Sequence, residues 1–329
     1  MPNARRSANV AQAPVSRKDF LSILDIEPEV LERLLDAAAT LKRERPLGRS
    51  SPHGRALDGL HVALLFEKPS LRTRSTFEIA VRELGGDVIA LPPEVALGGR
   101  EQPEDVARNL ERWVAAAVVR TFAQERLVRF AAAAPRLHVI NALTDSEHPC
   151  QALADVMTLQ EHWDRLPGRT MAFIGDGNNV ATSLAHAAVA LGVNVHVASP
   201  AGFELSQSVV VAAKRRARAG ACVRLFRDPV SAVRGASAVY TDVWTSMGRE
   251  TETSKRQEIF RPYQVNAALM SAADRGAIFM HCLPAHRGEE VTPDVMDSDA
   301  SVVFDQAENR LHTQKALLML LIGRGPFAL

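Results

Sequence analysis

The sequence predicts an α/β fold built from parallel strands that alternate with helices. Short apolar runs of strand length alternate with segments whose apolar residues recur at helical spacing. This alternation is typical of βαβ units, in which helices cover both faces of a parallel sheet. At 329 residues, the chain exceeds the size at which one hydrophobic core usually stops growing. We therefore predict two doubly wound parallel-sheet domains.

The elements can be placed in chain order. The predicted strands are the apolar runs 61–66, 87–91, 115–119, 137–141, 170–175, 193–198, 222–226, 237–242, 277–281 and 301–304. Among the helical segments, apolar residues recur at helical spacing between Val30 and Leu41, and an alanine-rich segment spans Val180–Leu191. The long helical stretch Pro149–His162 is followed by Leu166–Pro167–Gly168 and a new strand, so we place the domain boundary at this break.

Composition excludes several function classes. A net charge of +1 gives no general attraction to nucleic acid or to a membrane surface, and no apolar run reaches the length of a membrane span. The three cysteines lack C-x-x-C spacing, which indicates reduced thiols in the cytoplasm. Residues 1–18 are basic but lack an apolar segment, so we predict a disordered tail, with a short transit peptide as the alternative.

The turn after the first predicted strand has the composition of a phosphate site. Lys68, Ser70, Arg72, Thr73 and Arg74 lie where strand 61–66 gives way to a helical pattern. A helix N-terminus presents free backbone N–H groups and a partial positive charge. Arginine forks match phosphate oxygens bidentately. An ordinary capped helix with solvated arginines is the alternative, and the clustering favours phosphate.

A second strand–turn–helix segment resembles a dinucleotide fingerprint without completing it. Met171–Val180 contains G-x-G after a strand, but Val180 replaces the third glycine. The next strand ends at Ser199 with no acid to hold a ribose. We therefore disfavour nucleotide binding and expect Asn178 and Asn179 to offer amide groups to a small polar ligand.

Three further polar segments follow predicted strands, where ligand sites of open α/β sheets usually lie. They are H-P-C-Q (His148–Gln151), T-D-V-W-T-S-M-G (Thr241–Gly248), which opens a lid-like polar stretch (Arg249–Glu258), and H-C-L-P-A-H-R-G-E-E (His281–Glu290). Each has a structural alternative, namely a capping or core role for His148, a buried Cys282, and an Asx turn at Asp242.

Two chemical alternatives attach to the last segment. Cys282 with a histidine could be a thiol nucleophile. His281 and His286 could bind a metal, but Pro284 between them disrupts helical spacing and the sequence shows no third ligand. We therefore predict no metal.

Six motifs together resemble the ornithine carbamoyltransferases, within the aspartate/ornithine carbamoyltransferase family. In order, they are P-S-L-R-T-R, H-P-C-Q-A-L-A-D, G-D-G-N-N, D-V-W-T-S-M-G, H-C-L-P-A-H-R-G-E-E and F-D-Q-A-E-N-R-L-H. The similarity covers about Phe20 to Leu321. It implies two α/β domains joined by long helices, no cofactor, and a homotrimer or multiple of trimers whose neighbours share active sites. The implied division is a carbamoyl phosphate-binding domain (19–165), an ornithine-binding domain (166–305) and a C-terminal helix returning to the first domain (306–329).

The resemblance implies transfer of the carbamoyl group of carbamoyl phosphate to the δ-amine of L-ornithine, giving citrulline and phosphate in arginine metabolism. The implied carbamoyl phosphate residues are Ser70, Leu71, Arg72, Thr73, Arg120, His148, Gln151, Cys282, Leu283 and Arg310. The implied ornithine residues are Asn179, Asp242, Ser246 and Met247. The implied catalytic residues are Cys282, Arg120 and His148.

The chain departs from the family pattern at two places. Leu71 stands where many members have a hydroxyl residue, and Ala96 stands where a glutamine often reaches a neighbouring subunit, with Arg100 as a possible replacement. The alternatives are an aspartate, N-acetylornithine or putrescine carbamoyltransferase, and a non-catalytic protein that only binds such ligands. The intact charged residues of the six motifs favour an enzyme acting on ornithine.

Overall fold

A computed structural model describes residues 18–93, 101–245 and 253–323. It contains nine strands: β1 (His61–Phe66), β2 (Asp87–Leu91), β3 (Ala116–Arg120), β4 (His138–Leu143), β5 (Thr170–Ile174), β6 (Asn194–Ala198), β7 (Val223–Phe226), β8 (Ala238–Thr241) and β9 (Ile278–His281). These confirm nine of the ten predicted strands, with bounds that differ from the prediction by at most two residues. Residues 1–17 of the predicted tail lie outside the described residues.

The helices alternate with the strands as predicted. They are α1 (Pro28–Glu44), α2 (Leu71–Glu83), α3 (Pro103–Leu110), α4 (Gln124–Ala133), α5 (Pro149–His162), α6 (Asn179–Ala190), α7 (Gln207–Arg216), α8 (Pro229–Val233), α9 (Thr253–Phe260), α10 (Ala267–Ser271), α11 (Pro293–Met296) and α12 (Val303–Ile322). In the described part of the chain, no helix has the length and apolar character needed to cross a membrane.

The predicted strand at 301–304 is wrong. Ser301 makes only an isolated bridge to Phe279, and α12 begins at Val303. A short apolar run such as S-V-V-F does not distinguish a buried strand from the start of a helix. Phe304 is largely exposed, so the run does not form the continuous buried segment that a central strand requires.

All strand pairs within the two sheets are parallel. The first sheet has the order β2-β1-β3-β4, and the second has the order β7-β6-β5-β8-β9. In each sheet the strand order reverses beside its first strand, between β1 and β3 and between β5 and β8. Ligands of open α/β sheets bind outside the carboxyl ends of the strands at such points.

Helices cover both faces of each sheet because successive side chains of a strand point to opposite faces. In β1, Val62 and Leu64 join the core formed with α1, α2 and α12. Ala63 and Leu65 alternate with these residues along β1, and they join a separate core with α3 and α4. The second sheet is packed on two faces in the same way. The predicted doubly wound α/β fold is confirmed.

Two long helices join the two sheets. α5 has 14 residues and leads from β4 of the first sheet to β5 of the second. α12 has 20 residues, follows the second sheet, and packs against α1, α2 and α5. The two helices are also joined by a hydrogen bond from Arg310 of α12 to Gln151 of α5. The domain bounds predicted from the sequence stay predictions.

Candidate active site

A cavity of about 970 Å³ is lined by loops from the carboxyl ends of both sheets. It brings together every predicted site residue that the structure describes: Ser70, Leu71, Arg72, Thr73, Arg120, His148, Gln151, Asn179, Asp242, Cys282, Leu283 and Arg310. Ser246, Met247, Ala96 and Arg100 lie outside the described residues. The individual roles assigned to these residues stay predictions.

The turn between β1 and α2 forms one wall of the cavity. Ser70 caps α2, and its Oγ accepts a hydrogen bond from the Thr73 amide at 3.2 Å. The first turn of α2 carries no acidic residue to neutralise the positive end of the helix. Leu71 lines the cavity, and its side chain is 76% exposed. Arg74 was grouped with this turn from the sequence, but it pairs with Glu78 at 3.2 Å and does not line the cavity.

Arg310 of α12 links the α2 turn to α5. Its Nη1 donates to Gln151 Oε1 at 2.5 Å, and its Nη2 donates to Thr73 Oγ1 at 2.9 Å. Because Thr73 Oγ1 already accepts this bond, its own proton is free to be donated to another acceptor. The arrangement therefore offers a hydroxyl donor at the cavity wall.

Four basic side chains crowd the same wall. Burial and the charges of Arg310 and Arg72 lower the pKa of Arg120 to about 10. Burial also lowers the pKa values of Arg72 and Arg310. Burial and the three guanidinium groups hold the pKa of His148 well below its usual range, so its imidazole is neutral at neutral pH. Within the described ranges, the side chains of Arg72 and Arg120 have no ion-pair partner. A desolvated and unbalanced positive charge favours binding of an anion.

Asp155 of α5 is the last residue of the motif H-P-C-Q-A-L-A-D, for which the sequence predicted no role, and it is fully buried beneath this wall. Its Oδ1 accepts hydrogen bonds from Gln151 Nε2 at 2.8 Å and Gln306 Nε2 at 2.6 Å. Its Oδ2 accepts one from the Tyr240 hydroxyl at 3.3 Å. These contacts turn the Gln151 amide so that its oxygen faces Arg310. The available signal was an aspartate within the otherwise apolar start of a helix, which by itself does not specify a role.

The buried Asp155 should make the protein less stable as the pH rises from about 4 to about 7. Burial raises the pKa of this carboxyl from 3.8 to about 7. Between pH 3.8 and about 7 the folded state therefore holds a proton that the unfolded state has released, so the free energy of unfolding falls as the pH rises across this range and levels off above it. One pKa unit corresponds to about 1.4 kcal/mol. We expect Asp155→Asn to raise the melting temperature relative to wild type at pH 8, by an amount that shrinks toward pH 5.

Thermal melts of both proteins across this pH range measure the difference. A variant that is equally destabilised at pH 5 and pH 8 would show that ionisation of Asp155 is not the cause. Thr158→Val, which removes a buried hydroxyl one turn further along α5, serves as a control that carries no charge.

Asp242 lines the cavity from the second sheet, directly after β8. Its Oδ1 accepts hydrogen bonds from the Cys282 thiol at 3.0 Å and the Val243 amide at 2.8 Å, and its Oδ2 accepts one from Asn178 Nδ2 at 2.7 Å. Burial and the charge of Asp242 raise the pKa of Cys282 well above its usual range. Cys282 is therefore a neutral thiol at neutral pH, which disfavours the alternative of a thiolate nucleophile.

The G-D-G-N-N loop after β5 packs closely against the backbone at Leu205, and its two asparagines make different contacts. A Cβ at Gly177 would lie 2.2 Å from the Leu205 backbone nitrogen, so only glycine fits there. Asn178 caps α6 as well as contacting Asp242. Asn179 lines the cavity while its Nδ2 donates to the Thr144 carbonyl at 2.6 Å. Its predicted contact with a ligand stays a prediction.

The loop after β9 is held by a buried histidine–glutamate pair. His281 Nδ1 accepts a hydrogen bond from the Leu283 amide at 2.8 Å, so Nε2 is the donor to Glu290 Oε1 at 3.2 Å. Leu283 has a φ of 58°, a conformation that non-glycine residues rarely adopt. The structure thus fixes the backbone at Cys282–Leu283 beside the cavity.

The two histidines considered as a metal pair belong to different groups. Among the described residues, potential ligand atoms lie within 4.8 Å of one another in two sets: Asp242, His281 and Cys282, and His286, Glu289 and Glu290. In the structure each histidine therefore lies near two further potential metal ligands that the sequence did not show. The hydrogen bonds between Asp242 and Cys282 and between His281 and Glu290 already account for much of this proximity.

Comparison with known proteins gives matches over nearly the whole chain. Residues 18–161 match the family model for the aspartate/ornithine carbamoyltransferase carbamoyl-P binding domain, and residues 167–321 match that for the Asp/Orn binding domain. The ornithine carbamoyltransferase of Parasynechococcus marenigrum is 49% identical over 98% of this chain and 99% of its own. The structure of ornithine carbamoyltransferase from Pyrococcus furiosus aligns with a TM-score of 0.87 and 46% identity, over 92% of this chain and 96% of that one. The structure of ornithine transcarbamoylase from Giardia lamblia is 30% identical in sequence. It aligns with a TM-score of 0.83 over 93% of this chain and 98% of that one.

Proposed function

This chain belongs to the aspartate/ornithine carbamoyltransferase family, as an enzyme of the ornithine type, and on that premise we propose the reaction it catalyses. It transfers the carbamoyl group of carbamoyl phosphate to the δ-amine of L-ornithine, giving L-citrulline and phosphate. The observation that carries this proposal is a single cavity with three guanidinium groups on one wall and the Asp242 carboxylate on the other. The two walls suit a phosphate and an ammonium group respectively.

Carbamoyl phosphate needs positive charge at its phosphate and donors at its carbonyl oxygen. Arg72, Arg120 and the α2 N-terminus meet the first need. The Thr73 hydroxyl, oriented by Arg310, and a neutral His148 can donate to the carbonyl oxygen. Donors aimed at an oxygen that gains negative charge are a usual means of accelerating such transfers.

Ornithine needs an acceptor for its α-ammonium group and donors for its carboxylate. Asp242 supplies the acceptor, and Asn179, Ser246 and the Met247 backbone are proposed for the carboxylate. The Cys282 thiol lies beside Asp242 and is proposed to contact the δ-amine. In the reaction the δ-nitrogen forms a bond to the carbamoyl carbon, and the bond from that carbon to the phosphate oxygen breaks.

The δ-amine must lose a proton before it attacks. In water its pKa should be near the lysine value of about 10.4. Transfer into a desolvated cavity beside Arg72 and Arg120 lowers that pKa, because burial and like charge both disfavour the ammonium form. We propose that positioning and deprotonation, without a covalent enzyme intermediate, carry the catalysis.

We propose the cytoplasm as the cellular setting of the reaction. The three cysteines are free thiols, which suits a reducing compartment such as the cytoplasm. We place the reaction in arginine metabolism because citrulline formation from ornithine belongs to it.

A homotrimer, or a multiple of one, is the assembly that the family implies. Ala96 stands where family members often have a glutamine that reaches the phosphate site of a neighbouring subunit. If Arg100 makes this contact instead, Arg100→Ala should raise the KM for carbamoyl phosphate. Light scattering measures the assembly, and steady-state kinetics measure the variant. A fully active monomer would exclude shared sites, and an unchanged KM would exclude a role for Arg100 in phosphate binding.

The proposed reaction is tested by citrulline formation with purified protein. We expect carbamoyl transfer to ornithine and little transfer to aspartate, N-acetylornithine or putrescine. Preference for one of the other three amines would reassign the substrate. Binding of carbamoyl phosphate without transfer to any amine would instead support a non-catalytic binding protein.

A further inference from the structure

Arg256 of α9 is a fully enclosed arginine for which the sequence predicted no role. Only 2% of the residue is exposed. Its Nε donates to the Trp244 carbonyl at 2.5 Å, and its Nη2 donates to the Asp176 carboxylate. The guanidinium carbon also lies 4.7 Å from the centre of the Phe203 ring and 5.1 Å from that of Phe260. Arg256 does not line the cavity.

Two polar contacts of Arg256, to Asp176 and to the Trp244 carbonyl, belong to neighbouring loops. Asp176 follows β5, and Trp244 follows β8. These strands are hydrogen-bonded neighbours, with Ile174 opposite Thr241 at their carboxyl ends. A single guanidinium group therefore joins the two loops just beyond the point where the sheet pairing stops.

Both loops also contribute to the surroundings of Asp242. Two residues after Asp176, Asn178 donates to Asp242 Oδ2 at 2.7 Å. Asp242 itself lies two residues before Trp244 and on the same loop. A change in the separation of the loops would therefore move the Asp242 carboxylate relative to the Asn178 amide.

We propose that Arg256 is a positioning residue for the amine substrate, and this rests on the proposed role of Asp242. By joining Asp176 to the Trp244 carbonyl, it sets the separation of the two loops and hence the orientation of the Asp242 carboxylate. It touches neither substrate. The α2 turn, α5 and Arg310 make none of these contacts, so carbamoyl phosphate binding should be independent of Arg256.

The shape of the side chain is essential to this role. The planar guanidinium fork reaches two acceptors at once and stacks against aromatic rings. A lysine ammonium is a point charge and cannot reproduce both contacts with the same geometry. Arg256→Lys therefore keeps the positive charge beside Asp176 while loosening the connection to Trp244.

The first test compares Arg256→Lys with wild type and with Lys255→Ala, an exposed neighbour on α9. We expect Arg256→Lys to raise the KM for ornithine about ten-fold or more. The equilibrium affinity for inorganic phosphate, a stable probe of the carbamoyl phosphate side, should stay within about two-fold of wild type. Lys255→Ala should match wild type in both. An unchanged ornithine KM, or an equal loss of phosphate affinity, overturns the proposal.

A second test separates positioning from stability. Removal of one charge of a buried ion pair is destabilising because the remaining charge loses that compensation. The double variant Arg256→Gln with Asp176→Asn removes both charges, so it should have a higher melting temperature than Arg256→Gln alone. Since glutamine has no fork to span the two loops, the raised ornithine KM should persist in the double variant. Recovery of the ornithine KM together with the melting temperature would assign Arg256 a structural role only.

These outcomes are distinct from a failure of the proposed reaction. If wild-type protein forms no citrulline from ornithine, the proposed function is wrong whatever the variants do. If wild type is active and Arg256→Lys has wild-type kinetics for ornithine, only the role of Arg256 is wrong.

Discussion

Arg72→Ala is expected to lower kcat/KM by about a thousand-fold or more, with the melting temperature close to that of wild type. A thousand-fold loss corresponds to about 4 kcal/mol of transition-state stabilisation. Arg72 is half-buried beside Arg120 and Arg310, and burial lowers its pKa. Among the described residues its side chain has no ion-pair partner, so its removal breaks no internal ion pair there. The fall in kcat/KM should therefore come from weaker interaction with the ligand and not from a less stable fold.

Steady-state kinetics with carbamoyl phosphate and ornithine, together with thermal melts, measure this effect. Arg82→Ala is the matched control, because Arg82 is an exposed arginine near the other end of α2. It removes the same side chain without touching the cavity and should retain wild-type kinetics. Near-wild-type kcat/KM in Arg72→Ala would reject Arg72 as a phosphate ligand.

Amine selectivity is expected to be the second largest effect. Acetylation of the α-nitrogen removes the charge that would face Asp242 and adds bulk. A buried carboxylate without its partner is strongly unfavourable. We expect N-acetylornithine to be used hundreds-fold less well than ornithine in kcat/KM, and putrescine, which lacks the carboxylate, to incur a similar penalty.

Asp242→Asn tests the residue behind this selectivity. It should impair the use of ornithine far more than the binding of carbamoyl phosphate, because the proposed contacts of ornithine include Asp242 and those of carbamoyl phosphate do not. The kinetics of the three amines with wild type and equilibrium binding of carbamoyl phosphate to the variant are the measurements. If N-acetylornithine or putrescine equals ornithine, the substrate assignment moves to that amine and the role of Asp242 is wrong.

The sequence by itself determined the fold class and the composition of the cavity. Apolar runs and helical periodicities predicted nine strands and the long helix α5, because burial leaves a pattern in the apolar residues of each element. The C-terminal helix was implied by the family resemblance. Polar segments at strand ends predicted the cavity, because the carboxyl ends of parallel strands meet at one edge of a sheet. That reasoning selected Arg72, His148 and Asp242. It failed at 301–304, where a four-residue run was too short to carry a period.

Only the tertiary structure decided which side chains support these residues. Asp155 and Arg256 each lie in a helix whose sequence does not show what it packs against. The contact between Arg310 and Thr73 joins residues 237 positions apart. The protonation of Cys282 and His148 was equally beyond the sequence, because a pKa depends on burial and on charges brought near by folding. Residue types and spacing follow from local periodicity, whereas hydrogen-bond partners and charge states depend on distances that exist only once the two sheets are packed together.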